Sequence, residues 1–438
     1  MKQVNGITSL MKSFSTTYWS VIVMEFFERS AFYGMMAILA DYFVENIGNT
    51  EQWGLLRSVL NTLLYIIPIF SGALAEKWGY KKVLTLAFVL MTLAYIGAGS
   101  YEIYPVFFGF MILLGLGGGL FKPVISSSIA RSTDASNSTL GFGIYYWTIN
   151  VGSFIASLVA AHYATAKDYQ PLFMFSAAYV CLMLFNNFFF YKEPRKPNKI
   201  KTFGDTVAGI ALVFSNWRFI LLLLIFSGFW GMYNRSTDSA LWLLRENYID
   251  LTPVNDVLTR IGTWFGSKEP ITFTVANIMT INAGVIILGQ LPVSYLVRNT
   301  KPLPTMIVGV ALASLFPLLV ALSNNPWVFI LGLVVFSIGE ITAYPKLISY
   351  VGLISPRDKV AIYMGFVFLP VCFASLIFDY PNGVLWDRLV IRGDGITTYW
   401  FIVAGLGGVT VLSLILYHLF VGKKLALSEG TGGDDTQV

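Results

Sequence analysis

Charge, cysteine and histidine are scarce in this chain, and each shortage excludes a class of protein. Charged residues make up 12% of it, about half the share of an ordinary soluble domain, too few to clothe a globular surface in water. Cysteine occurs twice, at Cys181 and Cys372, in separate apolar runs. That excludes a disulfide framework and leaves the expectation of two buried packing thiols. The two histidines, His162 and His418, have no clustered partners, so no metal site is expected. A membrane-embedded enzyme would need a catalytic cluster such as His with carboxylates, and none is visible. The first fifteen residues hold Lys2 and Lys12 but no apolar run with a cleavage site, so no removable signal peptide is expected. The first apolar run would act as its own insertion signal.

Apolar residues dominate instead, at 56% of the chain, with 16% aromatic. A membrane-spanning helix takes about 20 such residues. Runs separated by Gly, Pro or charged turns place twelve spans at roughly 17–46, 53–77, 82–100, 105–131, 140–165, 171–191, 217–245, 272–297, 302–323, 327–355, 361–386 and 397–421. The expected fold is an all-α integral membrane protein of twelve helices in two six-helix bundles. Gly115, Gly117, Gly118 and Gly119 in the fourth span suit close helix contact. Basic residues concentrate on one side, in Lys77, Lys81, Lys82, Lys192, Arg195 and Lys196, which puts both termini in the cytoplasm. Basic loops at a negative inner leaflet account for the net charge of +5, and no nucleic-acid partner is implied.

The expected division is an N-terminal bundle over 1–191, a cytoplasmic linker over 192–216, and a C-terminal bundle over 217–438 that ends in a polar, disordered tail. The linker opens on the basic run KEPRKPNKIK and continues as a modestly amphipathic stretch suited to the membrane surface. Between the seventh and eighth spans, 246–271 has room for an outer helix or short lid, with Trp264 and Phe265 placed to dip into the interface.

Glu25, Glu28 and Arg29 stand inside the first span. Charge at bilayer depth costs at least about 2.5–3.5 kcal/mol per residue and persists mainly where it faces a polar cavity. The i, i+3, i+4 spacing puts all three on one helical face, able to pair and share a proton. An inert ion pair holding helices together is the alternative.

Longer patterns then point to families. Gly72-Ala-Leu-Ala-Glu76-Lys77-Trp-Gly79-Tyr-Lys81-Lys82 resembles the signature loop of the major facilitator superfamily, with Glu76 where Asp is usual. Four further stretches resemble the proton-dependent oligopeptide transporters. Glu25-Phe-Phe-Glu28-Arg29-Ser-Ala-Phe32-Tyr33-Gly34 is similar to their ExxERFxYYG motif. Gly119-Leu-Phe-Lys122-Pro123 matches their intramembrane lysine. Tyr146-Trp-Thr-Ile-Asn150-Val-Gly152-Ser153 is similar to FYxxINxGS, and Gly339-Glu340 with Pro345 to their tenth span.

The resemblance implies roles. Glu25, Glu28, Arg29 and Lys122 would couple protons to conformation, because protonating a carboxylate releases the cation paired to it. Glu340 would bind the amino terminus of a peptide. Asn150 and Asn282 would orient its backbone, and Tyr33 and Tyr65 would offer hydroxyls; for each of these four an ordinary interhelical hydrogen bond is the alternative. Glu76 and Asp238 would serve gating. The departures matter too. Where the family shows FWxxxEQ, this chain has Phe229-Trp230-Gly-Met-Tyr-Asn234-Arg235, so an acidic partner for Lys122 is missing; Ala283 replaces a proline, Val124 an asparagine, and Met36 an arginine. Asn234 and Arg235 are therefore expected at the substrate, Arg235 supplying the lost cation. Asp238 would pair with Arg235 at i, i+3 or with Lys122, the local pairing being preferred. Lys346 would snorkel to the inner surface or serve as a second substrate cation.

The resulting reading is a proton-coupled symporter that imports small peptides or peptide-like zwitterionic or anionic solutes by alternating access. A proton-coupled exporter of drugs or metabolites and a non-transporting solute sensor stay open beside it. Protons are the coupling ion, with no cofactor and no metal. The lipid bilayer of the cell inner membrane is the setting, with a monomer expected.

Overall fold

The computed structural model describes residues 11, 13–133, 138–166, 168–193, 203–297, 299–354 and 360–422. In chain order these form α1 Thr16–Asn46, α2 Thr50–Trp78, α3 Tyr80–Ser100, α4 Tyr104–Ser132, α5 Ser138–Ala166, α6 Gln170–Phe189 and α7 Phe203–Ser215. After α7 come α8 Trp217–Arg245, α9 Thr252–Trp264, α10 Asn277–Leu296, α11 Pro302–Leu322, α12 Pro326–Ile354, α13 Tyr363–Ile391 and α14 Ile396–Gly422. No strand occurs among the described residues. Nine of these helices, α2, α3, α4, α6, α8, α11, α12, α13 and α14, are long and apolar enough to cross a membrane. Helices α1 and α5 run for 31 and 29 residues, and α10 contains the shorter apolar stretch Asn277–Gln290. The tail beyond 422 and the basic run at 194–202 lie outside the described residues.

Three expected spans are less regular than their hydropathy suggests. Helix α8 passes through a π-turn, Arg235–Ser239, α13 through two, Ser375–Asp379 and Asp387–Ile391, and α14 ends in another, His418–Gly422. Such i→i+5 turns redirect side chains and recur at functional sites. Both thiols were expected to be buried. Cys372 is, but Cys181 is exposed on α6, because that helix turns Leu182, Phe185 and Phe189 outward as well; in a membrane protein an outward apolar face meets lipid and not water.

The chain divides into two compact units. The first comprises Met1–Asn49, Val59–Val207 and Thr274–Ala283; the second comprises Thr50–Ser58, Ala208–Phe273 and Gly284–Val438. Within the first, α1 packs on α5 and α6, and α3 on α4 and α6. The glycine run of α4 makes this closeness possible. A Cβ on Gly119 would lie 2.9 Å from the Leu63 carbonyl of α2, and one on Gly117 would lie 2.9 Å from the Ala87 carbonyl of α3. In lipid, close packing of this kind replaces the hydrophobic drive that water supplies to a soluble core. Across α1 and α6, Asn186 Nδ2 donates to the Ser20 carbonyl at 3.1 Å while Ser20 Oγ donates back to Asn186 Oδ1 at 2.5 Å. Within the second unit, α11 packs on α12 and α14, and α8 on α13 and α14.

Gly119→Ala should therefore destabilise the protein by about 1–3 kcal/mol, the usual cost of overpacking. Gly109→Ala, whose added methyl meets nothing within 4 Å, should melt like the parent in detergent; equal melting of all three proteins would remove the close-contact role of the α4 glycines.

Candidate functional site

In the first unit the charged face of α1 is fully assembled. Arg29 Nε lies 3.2 Å from Glu25 Oε1, and its Nη2 pairs with Glu28 Oε2. Glu25, Glu28 and Arg29 are 2%, 1% and 7% exposed. The guanidinium carbon also sits 5.9 and 5.8 Å from the ring centroids of Phe32 and Tyr33, which favours the cation. From α4, half-buried Lys122 directs its Nζ to 4.2 Å from the centroid of Tyr65 on α2 and feels the charges of Arg29, Glu28 and Glu25. Two carboxylates thus face two cations. The set is balanced when all four groups are ionised and carries a net positive charge once either acid takes a proton.

Sequence reasoning missed two neighbours of this set. The Tyr145 hydroxyl hydrogen-bonds Glu25, and the ring of Tyr95, buried on α3, lies close enough to Glu28 to feel its charge. Tyr145 immediately precedes the α5 motif, so its place beside that motif was the available signal. The glycine of the motif has a packing role, since a Cβ on Gly152 would meet the Phe26 carbonyl at 3.1 Å and Arg29 Cβ at 3.3 Å. It lets α5 lie against the charged turn of α1.

A second buried cluster lies wholly within the second unit. Arg235 pairs with Asp379 through Nη2 and donates from Nη1 to the Phe378 carbonyl at 3.1 Å. Asn234 Nδ2 approaches both oxygens of Asp379, at 3.0 and 3.3 Å. Asp238 pairs with Arg57 Nε at 3.4 Å and accepts from Trp53 Nε1 at 3.1 Å. Beside them, Tyr399 Oη donates to Asn382 Oδ1 at 2.5 Å and shares a hydrogen bond of the same length with Ser239. Again two acids balance two cations, all four at most 5% exposed.

This cluster corrects the pairing expected for Asp238. Arg235 is not its contact partner; Arg57 is. The local i, i+3 pairing assumes α-helical geometry, whereas 235–239 is a π-turn, in which residues three apart diverge instead of stacking. Arg235 is turned toward Asp379 and Asp238 toward the opening turns of α2. Both missed partners carried a readable signal, because Arg57 and Asp379 are charges inside apolar spans, the criterion that singled out α1.

Tyr33, Tyr65, Asn150, Asn282 and Glu340 are half-buried; the first four belong to the first unit and Glu340 to the second. The side chain of Glu76 lies outside those described. Lys346 is 8% exposed, and its Nζ donates to the Val297 and Thr300 carbonyls at 2.6 and 3.0 Å, just beyond the end of α10. Among the described residues no group of three His, Cys, Asp or Glu is arranged to hold a metal ion.

Long apolar helices that bury ion pairs along their length define the class of multi-pass membrane proteins. The profile described as Major Facilitator Superfamily matches residues 18–379, and the chain belongs to that superfamily: it is a multi-pass membrane transporter. Among its relatives, the dipeptide and tripeptide permease A of Yersinia pestis is 30% identical over 216 residues, covering 46% of this chain and 43% of that permease. The chain thus aligns with less than half of that relative's length. A crystal structure of a POT family transporter in complex with 5-aminolevulinic acid superimposes with a TM-score of 0.74 at 19% identity, covering 94% of this chain and 99% of that one. The nucleoside transporter NupG gives a TM-score of 0.72 at 15% identity, covering 92% and 99%. At these identities the structures show a shared fold.

Asp379→Leu should strand Arg235 as a buried charge and destabilise the protein by about 3–5 kcal/mol, while Arg235→Met with Asp379→Leu should recover most of the loss. Thermal melting of the three purified proteins measures both. A double variant no more stable than the single one would reject the pairing.

Proposed function

We propose that this carrier is a symporter that moves protons together with a small peptide or a peptide-like zwitterionic or anionic solute into the cell, by alternating access. The observation that carries the reading is the clamp of Arg29 on Glu25 and Glu28 with Lys122 at hand. A proton arriving on either carboxylate removes one negative partner from two cations in a poorly screened place. The cations must then find another anion, and a substrate carboxylate is a suitable one. Each proton moving inward gains about 2.3 kcal/mol per 100 mV of membrane potential, enough to drive uphill uptake.

The second cluster fits the same scheme. Family resemblance led to an acidic side chain at Asn234 and a cation at Met36, and both are absent together. Arg235 takes the place of the missing cation, with Asp379 as its resident counter-ion. On this reading Arg235 holds the anionic end of the solute once Asp379 lets go, and Glu340 holds the amine. Asp238 with Arg57 acts as a gating pair. Tyr33, Tyr65, Asn150 and Asn282 help orient the solute, and Glu76 serves in gating. The bundles are 1–191 and 217–438, joined by 192–216. The carrier works as a monomer in the cell inner membrane with both termini in the cytoplasm, and protons are its coupling ion. The permease relatives and the POT neighbour with 5-aminolevulinic acid support the choice of solute class.

In proteoliposomes, an inward proton gradient should drive accumulation of labelled dialanine or 5-aminolevulinic acid. Glu28→Gln should reduce that accumulation at least tenfold while leaving exchange of internal for external solute in place. Accumulation that survives the substitution would reject Glu28 as a coupling group.

Dialanine should raise the melting temperature of the purified protein, and N-acetylated dialanine should not. Glu340→Gln should abolish this discrimination. Equal stabilisation of the wild type by both compounds would take Glu340 out of amine recognition.

A further inference from the structure

The outer connection between α8 and α10 carries an apolar surface that its own unit leaves uncovered. In α9 the apolar side chains recur at steps of three and four, so they share one side, while Asp256, Arg260 and Thr263 face the other. Only part of the apolar side is used internally. Val254 is 2% exposed and Gly262 is buried, the latter pressed close by Ile271 of the returning chain. Along the adjoining edge Val257 and Ile261 are 38% and 47% exposed, and at the end of the helix Trp264 and Phe265 are 87% and 85% exposed.

This tip is held firmly in place. Gly266 adopts φ +90°, a conformation open to glycine that turns the chain back directly after the aromatic pair. Ser267 N then donates to the Gly262 carbonyl at 2.8 Å, Ile271 N to Thr259 Oγ1 at 3.1 Å, and Phe273 N to Asn255 Oδ1 at 2.7 Å. Three hydrogen bonds and the close approach of Ile271 to Gly262 therefore hold the returning chain against α9, with the two rings at its tip.

Six residues, 246–251, separate α9 from the end of α8, and twelve, 265–276, separate it from α10. It also packs against α12, whose first turn exposes Trp327 at 45%, and it follows Tyr248, which is 38% exposed at the end of α8. Aromatic rings at one end of spanning helices are the mark of the membrane–water interface. An exposed apolar edge beside a polar face is the pattern of a helix lying in that interface.

We propose that α9 is an interfacial anchor, with Val257, Ile261, Trp264 and Phe265 immersed at the boundary of headgroups and acyl chains in the outer leaflet. The anchor tethers the outer end of α8, the helix that carries Arg235 and Asp238, to the lipid surface. This does not depend on which solute is carried.

The test starts from Cys181→Ser with Cys372→Ser and adds Trp264→Cys or, separately, Thr263→Cys. Each protein is labelled with the environment-sensitive fluorophore NBD and placed in phosphatidylcholine vesicles. The label at 264 should emit to the blue of the label at 263, be quenched by lipid doxyl groups near the headgroup more than by those near the chain end, and resist aqueous iodide at least threefold better. Phe265→Cys should behave as 264 does, which guards against one label disturbing the tip. Free iodide quenching at 264 and 265 with no doxyl effect would overturn the proposal in favour of a water-facing lid. Shielding from both quenchers that grows with protein density would overturn it in favour of contact with a second copy.

Discussion

Arg29 holds two carboxylates at once, and the rest of the molecule is arranged around that fact. A guanidinium between Glu25 and Glu28 is stable at bilayer depth only if the charges balance and if helices close in to keep lipid away. Lys122 supplies the balance from α4. The closing in is done by small residues, with Gly152 bringing α5 against the charged turn and the glycines of α4 bringing α2 and α3 near. The same glycines that let the first unit pack densely also place a lysine within the field of the pair.

The second unit repeats the device with other residues. Two acids and two cations are buried again, this time on α2, α8 and α13, and the charged positions of α8 and α13 lie in π-turns. Each unit therefore buries two acids beside two basic side chains, a set whose charge one proton changes. Coupling two gradients, as proposed above, would need places where ion binding changes which internal contacts are satisfied, and these sets are the candidates.

Most of the architecture was legible in the chain because lipid imposes a harsh rule: backbone groups must be satisfied within helices, so apolar length maps onto helix length. The expected segments coincide with helices to within a few residues, and the α1 charges pair as their spacing implied. What could not be read was direction within a turn. A π-turn leaves no trace in hydropathy, so Asp238 was assigned to Arg235 when the two point to different helices. Lys346 looked like a free cation because its partners are backbone carbonyls, which sequence does not display. Arg57 and Asp379 were a different kind of miss, since each is a lone charge in an apolar run and was open to the reasoning applied to α1.

The central claim is that Glu25 and Glu28 pass protons in step with the solute, and proton entry driven by the solute gradient alone tests it most directly. Vesicles holding a pH-sensitive dye, with no starting proton gradient and the membrane potential clamped, are given dialanine on the outside only. The account predicts acidification of the interior that follows dialanine entry and vanishes in Glu28→Gln. Dialanine entering the wild-type vesicles with no change in internal pH would contradict it.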